Sequence, residues 1–177
     1  MHSMTNEQQD DVFRRWVGDH IGLVMKVVRG FAATPEDQDD LFQETLLQLW
    51  RSIPAFRGEA KETTWIYRVA FNTALAWRRG EHRRRNQNAA LLQSEELRMS
   101  ASGQGDGLND ADVVAQLYAA IRQLPKIDAS VALMHLDGLS YREIAEVMGI
   151  SENHVGVKLN RVKKQLAQLM KGVTDEL

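Results

Sequence analysis

Two groups of side chains have the types and spacing to do recognition chemistry. Near the C-terminus, Lys158, Arg161, Lys163 and Lys164 follow Ser151, Asn153 and His154 at helical intervals. Cations of this kind pair with phosphates, and amide and imidazole groups bond base edges. Earlier in the chain, Arg57, Lys61, Arg68, Arg78, Arg79, Arg83 and Arg84 are interleaved with Phe56, Trp65, Tyr67 and Trp77. Aromatics beside cations stack and clamp unpaired bases, at ~1–3 kcal/mol per stacked base. Trp65 and Trp77 also fall on an apolar stripe and fit a core, whereas Tyr67, Arg68, Asn72 and the residues just before them are expected at the surface. Read singly, either charge run is an ordinary solvated helix face. Bond-making chemistry has little support. There is no cysteine, and no His pairs with another His or a Glu at metal-binding spacing. Asp39, Asp40 and Glu44 lack the ligand pattern and central glycine of a calcium loop. No cofactor is expected.

The chain has 177 residues, 44% of them hydrophobic and 26% charged, enough for one or two compact domains. Its start, MHSMTNEQQDD, is acidic and polar where an export signal needs a basic end and an apolar stretch. No apolar run approaches the ~20 residues of a membrane span. The expectation is a cytoplasmic protein with no membrane insertion of its own. The formal net charge of −2 conceals an uneven distribution, with nets of −4 over 1–60, +5 over 61–85, −4 over 86–112, −2 over 113–152 and +3 over 153–177. A polyanion responds to the local face, because screening limits its reach to ~8–10 Å.

These groups need helices to position them. Phe13, Trp16, Val17, His20, Val24, Val27, Val28 and Phe31 recur on one face of a long first helix, His20 as a core histidine. Thr34-Pro35-Glu36-Asp37 supplies an N-cap, a first-turn proline and first-turn carboxylates for a second helix, whose apolar period runs from Leu41 to Ile53 and stops at Pro54. A loop follows, then a third helix through Trp65, Ile66, Val69, Ala70, Thr73, Ala74 and Trp77 that ends near Arg78–Arg85. Residues 86–112 turn polar, with glycines and serines at 100–107, and read as a flexible linker. Apolar periodicity resumes at Val113. No period-2 alternation occurs, so the chain is expected to be all-α: a helical domain over 5–85, a linker over 86–112, and a second helical domain over 113–172.

The second domain carries the sharper motif. Ser140-Tyr-Arg-Glu143 is a capping box, Gly149 is a left-handed stop, and Ser151 caps a following helix with Val155, Leu159, Val162 and Leu166 inward. Small Ala145 permits a close crossing, and Ile150 and Val155 pin it. This is helix-turn-helix spacing, and the second helix of such a pair enters a DNA major groove.

With this motif in place, Asp40-Leu-Phe-Gln-Glu-Thr-Leu-Leu-Gln-Leu-Trp50-Arg51, Phe56-Arg57-Gly58 and Thr64-Trp-Ile-Tyr-Arg-Val-Ala-Phe-Asn72 resemble region 2 of bacterial sigma factors. Leu124-Pro125 through Leu166 resembles region 4. The chain is similar to the two-domain sigma factors of the extracytoplasmic-function group. The resemblance implies a protein without catalysis of its own that binds core RNA polymerase and promoter DNA and is a target for an anti-sigma factor. It implies polymerase docking by Asp40, Gln43, Glu44, Leu47, Trp50 and Arg51, although Leu47 or Trp50 also fits the core. It assigns the minus-ten element, with one base flipped from the non-template strand, to Arg57, Glu59, Lys61, Thr63, Thr64, Tyr67, Arg68 and Asn72. Upstream backbone contact falls to Arg78, Arg79, Arg83 and Arg84. The minus-thirty-five element falls to Ser151, Asn153, His154, Lys158, Arg161 and Lys164. The chain departs from the family at Ala76, where an acidic residue is usual, and at Gly156-Val157, where a basic-polar pair is common. A stand-alone helix-turn-helix regulator is the alternative reading.

Overall fold

A computed structural model describes residues 5–91 and 110–171, with side chains described through Gly80 and again from Asp110. Among the described residues there are seven α-helices and no strand. They are α1 (Asn6–Phe31), α2 (Pro35–Ser52), α3 (Glu62–Leu91), α4 (Asp110–Gln123), α5 (Lys126–Leu136), α6 (Tyr141–Met148) and α7 (Glu152–Leu169), with a 3-10 turn at Ile53–Ala55. The all-α expectation holds.

Local signals account for the helix ends. The Thr5 side chain accepts from the Gln8 N–H, and the Gln8 side chain reciprocates on the Thr5 N–H at 3.0 Å. Thr34 Oγ1 accepts from the Asp37 N–H at 3.1 Å, with Pro35 in the first turn. The third helix runs on to Leu91, past the expected stop in the arginine cluster. Arginine is a good helix former, and nothing between Arg78 and Leu91 breaks a helix except Gly80.

Helices α1, α2 and α3 pack mutually around Trp16, Val27, Leu41, Leu49, Ile53 and Ile66, all fully buried. The helices α4–α7 pack around Ile121, Val131, Met134, Ile144 and Leu159. These two cores meet. Helix α1 packs on α4 and α5, α3 packs on α6, and the buried apolar residues form one continuous cluster. Gly30 of α1 makes room for α5: a Cβ there would collide with Leu133 Cδ1 and stand 3.3 Å from its Cγ. No described helix is long and apolar enough to cross a membrane.

Candidate promoter and polymerase interface

In the second domain, the helix-turn-helix follows from its local sequence. Ser140 and Glu143 satisfy each other's backbone N–H groups at 3.0 and 3.3 Å. Gly149 closes α6 at φ 66°, a left-handed conformation in which a Cβ is strained, and the Ile150 N–H donates to the Ala145 carbonyl at 3.1 Å. The Ser151 hydroxyl, expected at DNA, caps α7 by accepting from the His154 N–H at 3.3 Å. Val155, Leu159 and Val162 are buried, which leaves Asn153, His154, Val157, Arg161 and Lys164 exposed on the opposite side. Helix α7 packs chiefly on α4, α5 and α6, so its outer face stays open.

One partner was not foreseen. Asp128 of α5 is only 1% exposed, and its two oxygens accept from Lys158 Nζ and Arg161 Nη2, each at 3.0 Å. Two of the cations assigned to DNA therefore also neutralise a buried carboxylate. The cue in the sequence was weak, since an aspartate in a first turn is an ordinary helix-start residue.

The first domain presents two separate surfaces. Between α2 and α3 lies a groove of about 1020 Å³, lined by Asp40, Gln43, Glu44, Leu47, Asn72 and Trp77 among others. Leu47 is 41% exposed there, so it is not a core residue. Trp50 is half-buried and turned to α1, its indole N–H donating to Asp10 Oδ1 at 2.9 Å, while Arg51 is exposed. Asn72 falls in this groove, away from the Tyr67 and Arg68 with which it was grouped.

The other surface faces the second domain. Arg57 and Glu59 are exposed on a loop whose Phe56 packs edge-on against Trp16 at 5.2 Å and tilted against Trp65 at 5.6 Å. Lys61 Nζ lies 2.8 Å from Glu143 Oε1. Tyr67, expected at the surface, is 2% exposed: it stacks on Phe71, and its hydroxyl donates to Asp137, which also takes Lys26. Arg68 donates to the Glu146 carbonyl at 2.7 Å. Arg78 donates to the Arg122 carbonyl at 2.9 Å, and Arg122 to the Arg29 carbonyl at 2.9 Å. Thr64 is buried and Thr63 half-buried, beside a crevice shared with His20, Asp137 and Glu143. His20 is half-buried at that crevice rather than in the core. Arg79 is exposed, and the Arg83 and Arg84 side chains lie outside the described residues.

These contacts move protonation equilibria. The hydrogen bond from Lys61, followed by those from the Ser140 cap, holds the Glu143 carboxyl down at about 2, and Glu143 in turn raises Lys61. Burial pushes the Tyr67 phenol well above its ordinary range.

Residues 16–84 match the family model for sigma-70 region 2, and residues 115–166 match that for sigma-70 region 4. The ECF RNA polymerase sigma-E factor of Haemophilus influenzae is 30% identical over 138 residues, covering 73% of this chain and 72% of that protein. Its Escherichia coli K12 counterpart is 27% identical over 137 residues, with the same coverage. Among solved structures, the Bartonella quintana sigma factor RpoE in complex with the anti-sigma factor NepR superposes with a TM-score of 0.68 at 18% identity, over 90% of this chain and 96% of that one. CnrH in complex with the cytosolic domain of CnrY gives 0.63 at 20%, over 92% and 90%. At those identities the structural likeness speaks to the fold. The chain belongs to the extracytoplasmic-function group of RNA polymerase sigma factors. Its function is that of a sigma factor, which binds core polymerase and directs it to promoters.

Proposed function

We propose that the described arrangement is a closed state of this sigma factor, in which the second helical unit, which begins at Asp110 rather than at 113, engages the promoter surface of the first, which runs on to Leu91 rather than stopping at 85. The observation that carries this is the identity of the residues that the second domain engages, of which Tyr67 is buried and Lys61 stays largely exposed. Lys61, Tyr67, Arg68 and Arg78, chosen from the sequence for promoter contact, are all hydrogen-bonded to the second domain. Single-stranded DNA and the second domain therefore compete for the same donors and the same aromatic ring. The outer faces of α2 and α7 remain accessible, which supports docking of polymerase at Asp40, Gln43, Glu44 and Leu47 while the chain is closed.

In this reading the acidic-apolar groove of α2 takes a basic-apolar partner surface on core polymerase. Polymerase binding and duplex binding by α7 supply the free energy that separates the domains, after which Arg57, Lys61, Tyr67 and Arg68 engage the melted strand. The work is recognition alone; the polymerase carries out the chemistry. The setting is the cytoplasm, where polymerase and DNA are. The anti-sigma factors bound to the two similar folds support an anti-sigma partner for this chain too.

The test is co-elution of the purified chain with bacterial core RNA polymerase, comparing wild type with Asp40→Lys plus Glu44→Lys. Both positions lie at the groove without supporting the core, so the variant stays folded and is expected to lose binding at least tenfold. Equal binding by the two forms would remove the α2 docking face.

A further inference from the structure

Among the described large apolar side chains, Val157 is the most exposed, at 61%. It stands in the first half of α7. With 100° per residue, the direction opposite the buried stripe of Val155, Leu159 and Val162 is taken by Asn153, Val157, Asn160 and Lys164, all exposed. Val157 is thus the apolar member of a face otherwise made of amides and an ammonium, one turn beyond Asn153. Stability of α7 does not account for it: a β-branched residue on an exposed helix surface gains no packing and is a weaker helix former than the alternatives. The residue before it, Gly156, is weaker still, and the place of its absent Cβ lies 3.6 Å from the ring of Tyr141.

We infer that Val157 is a specificity-determining residue, which reads the 5-methyl group of a thymine in the major groove of the upstream promoter element. The inference rests on α7 being the helix that enters that groove. Of the groups that base pairs present there, the thymine methyl is the apolar one, and an isopropyl group has no donor or acceptor for any other. The surrounding charge fits a duplex, because Arg161 and Lys163 are exposed on either side of this face and Lys164 lies on it. Asn153, one turn earlier, has the amide that pairs bidentately with an adenine, so Val157 meets a neighbouring base pair.

The experiment uses holoenzyme assembled from the full chain and bacterial core polymerase, with duplexes randomised upstream of the minus-ten region. From the enriched sequence, each thymine is replaced in turn by deoxyuridine, which removes only the methyl group. One position is expected to lose about fourfold in affinity, the value of one buried methyl. In Val157→Ser, thymine and deoxyuridine at that position bind equally, other thymines behave as in wild type, and reselection no longer returns thymine there. Val157 is exposed, so this variant keeps its fold. An enriched site where no thymine is sensitive, or where the sensitivity survives in Val157→Ser, overturns the inference and leaves α7 as the reading helix. Absence of any upstream enrichment overturns both.

Discussion

At the residue scale, several side chains proposed for recognition also serve the fold, so their substitutions act on stability as well. Lys158 and Arg161 share the buried carboxylate of Asp128. Replacing either one leaves Asp128 a partner, so each single change to Met is expected to cost about 1 kcal/mol. Replacing both strands a buried charge, which costs about 3–5 kcal/mol. Urea denaturation of the two singles and the double checks this, and additive singles would show that the carboxylate is solvated. Glu143 gives a pH dependence. Its folded value of about 2 lies below its ordinary value of 4.5; the Ser140 bonds hold part of this within the second domain, and the part that Lys61 supplies contributes to closure fully above pH 4.5 and fades as pH falls toward 2. Lys61 and Tyr67 are both raised, so their contributions hold below about pH 10 and are lost as pH climbs past it. Inter-domain fluorescence transfer should therefore be flat from pH 5 to 9 and fall on both sides, with Lys61→Met blunting both limbs. A flat profile down to pH 2 would contradict the Glu143 contact.

At the scale of elements, what the sequence reveals and what it hides divide by distance along the chain. Helices α1, α2, α6 and α7 are legible because caps, prolines, glycines and 3.6-residue stripes act within one or two turns. The helix-turn-helix is readable down to the left-handed Gly149 for the same reason. The burial of Tyr67 is not legible, because its cover, Asp137, comes from 70 residues away. The partners of Lys158 and Arg161 lie 30 and 33 residues back. The packing of α1 on α5 is equally hidden, since a glycine at position 30 of a helix shows only as a weak helix former. In the fold it leaves the room that the Leu133 side chain of α5 occupies. A Cβ at position 30 would meet Leu133 of α5 first, so Gly30→Leu should separate α5 from α1 while α1–α3 remain folded. Small-angle scattering should report a larger radius for Gly30→Leu than for wild type, with unchanged helix content by circular dichroism. An unchanged radius would mean that the α1–α5 contact does not hold the domains together.

At the scale of the whole molecule, three surfaces are linked in the proposed sequence of events. The α2 groove, the outer face of α7 and the Arg57–Glu59 loop are open, and the side of α3 that carries Tyr67, Arg68 and Arg78 is bonded to the second domain. Charge follows the same division. Four groups of the +5 block of 61–85 bond to the −2 block of 113–152, but only Lys61 does so as a cation meeting a carboxylate; Arg68 and Arg78 donate to backbone carbonyls and keep their charge available to a polyanion. A ligand shifts such an equilibrium only by its difference in affinity for the two states, and in the proposed opening polymerase with promoter DNA supplies that difference by using the surface that the second domain engages. The most direct measurement is the distance between spin labels at Gly18→Cys on α1 and Lys163→Cys on α7, two exposed sites in a chain with no native cysteine. The free chain should give one short, narrow distribution, and addition of core polymerase and promoter DNA should replace it with a longer one. The same short distance in the complete promoter complex would contradict the closed-to-open account.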